Sequence, residues 1–81
     1  MTAPTDPLRR TTYAQRCILA ALIRIGGTAK AADIAYEDAH TAAYTTPMLD
    51  SLTSLGIVTR GPERPFPTYS TTYTTVSITP A

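Results

Sequence analysis

The sequence predicts a mainly α fold, three helices followed by a small two-stranded β-hairpin. Three observations carry this. Apolar residues recur at three- and four-residue spacing after Thr12, and again between Thr41 and Leu55. A proline-rich stretch at residues 61–67 (GPERPFP) can only be a loop. It separates two runs rich in β-branched and aromatic residues, 57–60 and 68–78.

Residues 1–10, MTAPTDPLRR, hold two prolines and no periodicity, and read as a flexible arm ahead of a single domain over residues 11–81. Thr12 and Gln15 match a capping box, in which a hydroxyl and an amide each satisfy a free backbone N–H. From there Ala14, Cys17, Ile18, Ala21, Leu22 and Ile25 form one apolar stripe, and Gly26-Gly27 ends the helix. Thr28 is placed to cap a second helix over residues 29–39, anchored by Ile34, with Asp33 near its positive end. Thr41 caps a third that runs to Leu55, with Thr45, Met48, Leu49, Leu52 and Leu55 facing inward. Pro47 would fall inside that helix, or start a second part if Thr46 is the cap, so a kinked or two-part segment is expected. Gly56 stops it, Ile57 to Arg60 form one strand and residues 68–78 the other, with Val76 and Ile78 turned to the helices.

Composition narrows the function. Leu, Ile, Val and Phe number 15 of 81 residues against 12 alanines and 16 threonines, which implies a small core. The longest apolar run, Cys17 to Ile23, has seven residues, too few to cross a bilayer, and no cleavable leader is seen, so a cytoplasmic protein without a membrane is expected. One cysteine gives neither an internal disulfide nor a thiolate-rich metal site. One His, one Cys and scattered carboxylates assemble no triad, carboxylate pair or metal centre, and no phosphate-binding glycine loop is present. Catalysis and cofactors are therefore not expected. The net charge of +1 gives no vote for nucleic acid, but the cations lie toward both ends and most of the acids in the middle.

The residues Ile34, Ala39, Thr41, Leu49, Leu52 and Gly56-Ile57-Val58-Thr59-Arg60 follow an order that resembles a winged helix-turn-helix domain of the MarR-like and ArsR-like regulators. Ala31-Ala32-Asp33-Ile34-Ala35 looks like that family's helix-two opening. Tyr73 to Thr79 looks like its final wing strand, ending in Ile78-Thr79-Pro80. The resemblance covers residues 12–80 and implies a bacterial or phage regulator that binds double-stranded DNA. The start of helix three would lie in the major groove, with Thr41, Ala42, Ala43, Tyr44, Thr45 and Thr46 nearest the bases. Lys30, Arg60, Arg64, Arg9 and Arg10 would meet phosphates. A homodimer or a partner protein would supply specificity beyond one copy.

Each residue also has a plainer reading. Tyr44 can simply pack, Arg60 and Arg64 can be ordinary wing charges with Glu63 between them, and Arg16 and Arg24 can be solvated or paired with Asp or Glu. His40 reads as a packed or capping imidazole and Cys17 as a small hydrophobe. The rival function is a protein-interaction module. Residues 41–54 hold no Lys or Arg, and Phe66 between two prolines could fill a partner's pocket or fold back on the wing.

Overall fold

The computed structural model describes residues 7–78. Three helices, α1 (Tyr13–Ile25), α2 (Ala31–Glu37) and α3 (Ala42–Ser54), pack on one another. Three short strands, β1 (Thr28–Lys30), β2 (Thr59–Arg60) and β3 (Thr68–Ser70), form one antiparallel sheet in the order β1-β3-β2. Pro7–Arg10 makes a 3-10 turn before α1. Residues 1–6 of the arm, and Thr79-Pro80 of the expected final strand, lie outside the described residues.

Helix α1 begins as its sequence dictates. The Thr12 hydroxyl accepts from the Gln15 amide at 3.1 Å, and the Gln15 side chain accepts from the Thr12 N–H at 2.9 Å. Its buried residues are Ile18, Leu19, Ala20, Ala21 and Leu22, rotated from the expected stripe. Leu19 goes inside and Ile25 outside, while Ala14 and Cys17 stay half-buried. Arg16 is not a solvated charge: it donates to Thr11 Oγ1 at 2.9 Å and to the Leu8 carbonyl at 3.1 Å, fastening the turn before the helix. Arg24 pairs with Glu37 at 2.9 Å and links α1 to α2.

Thr28 caps nothing. It belongs to β1, opposite Ser70, and α2 starts two residues later than expected, after Lys30, and ends two residues earlier, at Glu37. Helix α3 is a single element with Pro47 inside it, so the two-part reading is corrected, and Thr46 is no cap. The proline removes the N–H that would bond the Ala43 carbonyl. Ala43 and Pro47 are both exposed, so water can satisfy the freed oxygen. The predicted long strands are also shorter. Ile57 and Val58 are buried ahead of β2, and only Thr68–Ser70 of residues 68–78 pairs. Val76 does pack against the core, but Ile78 is exposed. The core joins Ile18, Leu19 and Leu22 of α1, Ile34 of α2, Leu49 and Leu52 of α3, and Tyr69 of β3.

All three helices close with the same pair of bonds, one N–H reaching back three residues and the next reaching back five, made by Gly26 and Gly27, by Ala39 and His40, and by Gly56 and Ile57. The residue turning the chain is Gly26 after α1 and Gly56 after α3, at φ +125° and +79°, but Ala39 after α2, at φ +58°. An alanine there carries roughly 1 kcal/mol of strain that glycine does not. Replacement also loosens the unfolded chain, which offsets part of the gain. Ala39→Gly is expected to stabilise the domain by about 0.5 kcal/mol, read as a higher urea midpoint at an unchanged slope.

Candidate functional site

The first turn of α3 is set by Thr41, whose hydroxyl accepts from the Tyr44 amide at 3.1 Å. Ala42, Ala43 and Tyr44 are exposed on it. The Tyr44 ring stacks on His40 with centroids 4.1 Å apart and planes 16° from parallel. His40 Nδ1 lies 2.7 Å from Asp38 Oδ2, so imidazole and phenol are braced from the α2–α3 turn. Thr45 does not belong to this exposed turn. It is fully buried, and helical geometry allows its side chain only one of the two faces to which its spacing assigned it. The Thr46 hydroxyl is spent on the Ala42 carbonyl at 2.8 Å. What the turn offers outward is two methyl groups, a capping hydroxyl and a tyrosine ring.

The strand order then brings distant segments to this turn. A hollow of about 390 Å³ opens between Ala42 and Thr46 of α3, Ala31 and Ala32 of α2, Lys30, and Pro65-Phe66-Pro67. Tyr69 also lines it. The lining is mostly apolar, with Lys30 its one charged side chain. A second hollow of about 520 Å³ adjoins it across Thr46, Pro65 and Tyr69, and takes in Arg60 and Arg64. Lys30, Thr46, Arg60, Arg64 and Phe66 thus line two adjoining hollows. Arg9 is not among them: it lines a small hollow with Leu8, Arg16, Val76 and Ser77. Arg10 is exposed beside it in the chain. Arg60 lies 4.0 Å from Asp50 of α3, so its charge is partly answered within the protein.

Sequence reasoning missed Ala31, Ala32 and Tyr69 as part of this surface. Nothing local marks them, because they meet only once β3 pairs with both β1 and β2. Phe66 does not fold back: it is 69% exposed.

Loop 61–67 is shaped by Glu63. Its carboxylate accepts from the Thr68 hydroxyl and from the Thr68 amide at 3.2 Å. Gly61 leaves the room, since a Cβ there would sit 2.7 Å from Glu63 Oε1 and 2.9 Å from Thr68 Oγ1. The Thr68 hydroxyl, then backbone N–H groups and the Lys30 charge, hold the Glu63 carboxyl below its ordinary value of 4.5. Elsewhere, a side-chain hydrogen bond with half-buried Cys17 raises the Tyr13 phenol above its ordinary 10.0. Among the described residues no group of three His, Cys, Asp or Glu could hold a metal ion, and no helix is long and apolar enough to cross a membrane.

Compared with protein-family models, curated proteins and solved structures, the chain has no match.

Two outcomes test this geometry. The Thr45 hydroxyl is buried with no hydrogen-bond partner among the described residues, so Thr45→Val is expected to stabilise the fold by about 1 kcal/mol in urea unfolding. A group whose folded pKa is depressed stabilises above its ordinary value and loses that contribution as pH falls through the folded one. The Glu63 clasp is therefore expected intact above pH 4.5 and to open below it, with the Thr68 amide resonance reporting a midpoint under 4.5.

Proposed function

We propose that this chain is a winged helix-turn-helix DNA-binding protein that regulates transcription. The observation that carries this reading is the strand order β1-β3-β2, with β1 between α1 and α2. That arrangement is compatible with a winged helix and sets loop 61–67, the wing, beside the first turn of α3. In this reading Ala42, Ala43 and the Tyr44 ring approach the major groove, where methyl and aromatic groups can touch a thymine methyl. The Thr41 hydroxyl remains with the helix end it caps, Thr46 supports the turn, and Thr45 serves the core. Lys30, Arg60 and Arg64 meet phosphates, and Arg9 and Arg10 are outlying cations. Three central cations make one copy a weak, salt-sensitive binder, so useful specificity calls for two copies on a repeated site or a second protein.

A protein-docking module is the alternative, favoured by the absence of Lys and Arg from α3 and by the exposure of Phe66.

Retention on mixed-sequence duplex at low and moderate salt separates the two. The wild type is expected to bind at low salt, with log affinity falling against log salt at a slope of about 3. Lys30→Ala or Arg60→Ala is expected to weaken binding to all sequences alike and lower the slope by about 1. No retention at low salt would leave the docking module.

A further inference from the structure

We propose that the apolar hollow receives the sugar–phosphate ridge between the two grooves of a duplex, and that Phe66 crosses this ridge and wedges against a base step in the minor groove. The inference rests on the DNA-binding reading and adds a deformation of the DNA to it.

The hollow has two walls. One is Ala42 and Thr46 at the start of α3, the other Pro65-Phe66-Pro67. With α3 in the major groove, the object between the walls is the backbone that bounds that groove, and the next space beyond is the minor groove. The lining fits such an occupant. Alanines and prolines leave room for the carbon face of deoxyribose, which asks for no hydrogen bonds. Lys30 supplies a cation for a phosphate.

Phe66 fits the second half of the proposal. Its ring is 69% exposed, so insertion removes apolar surface from water. Proline on either side fixes φ at two of three consecutive residues, so little loop entropy is lost when the ring is gripped. Glu63, held by Thr68, and Gly61 brace the loop that presents it. Arg64, in the adjoining hollow, is the cation nearest in sequence for the far side of the minor groove. Apolar side chains that enter the minor groove in this way unstack a step and bend the helix by tens of degrees.

The test uses the full chain and a duplex of about 30 base pairs, short enough to be straight when free, with a fluorescence donor and acceptor on its ends. The wild type at low salt is expected to raise energy transfer. Phe66→Ala, which changes an exposed residue and should keep the wild-type circular dichroism, is expected to weaken binding and, at protein concentrations raised until the duplex is saturated, to abolish the rise. Phe66→Leu, still able to wedge, is expected to keep it. Undiminished bending by Phe66→Ala, or wild-type binding without bending, would overturn the wedge and leave DNA binding standing. Absence of wild-type binding would remove the DNA reading itself and the wedge with it.

Discussion

Tyr69 holds the molecule's two halves to one another. Its strand pairs with Ala29 on one side and Arg60 on the other, so a single residue position connects the segment between α1 and α2 to the segment after α3. The side chain is buried in the common core with Ile18, Leu22 and Leu49. Burying a ring of this kind stabilises by about 2 kcal/mol, and the flanking ladder bonds keep their polar groups satisfied. The same residue lines both hollows, so the placement of Lys30, Phe66, Arg60 and Arg64 around α3 follows from where β3 sits.

The elements with local causes were legible in the chain. Helix α1 carries its start in Thr12 and Gln15 and its end in Gly26, and α3 carries its start in Thr41 and its end in Gly56. Thr28 was not legible, because a threonine ahead of an alanine-rich run signals a cap and a strand alike. The deciding partner, Ser70, lies 42 residues away, and its hydroxyl receives a hydrogen bond from that of Thr28 at 3.1 Å. The long threonine-rich strand fails for a similar reason. β propensity extends through residue 78, but β1 offers three residues and β2 two, so the ladder ends at Ser70. Thr71 then donates its N–H to the Gly27 carbonyl and its hydroxyl to that of Ile57, and the chain leaves the sheet.

The site was legible as a set of residues more than as a surface. Cations in the loop, a phenylalanine between prolines and a third helix without Lys or Arg can all be read from the sequence. Their convergence on an apolar hollow cannot, since small alanines at 31 and 32 give no signal until a Pro-Phe-Pro segment stands opposite. Thr45 shows the limit of periodicity: the spacing that counts it as core also counts it among the exposed residues of the first turn, and only burial decides.

The Arg60–Asp50 approach bears on affinity. A guanidinium with a carboxylate of its own nearby must exchange one anion for another before it can grip a nucleic acid, and that toll falls on every sequence equally. Under the proposed reading it weakens target and background by the same factor, so the choice between sequences is left to the contacts that depend on base identity.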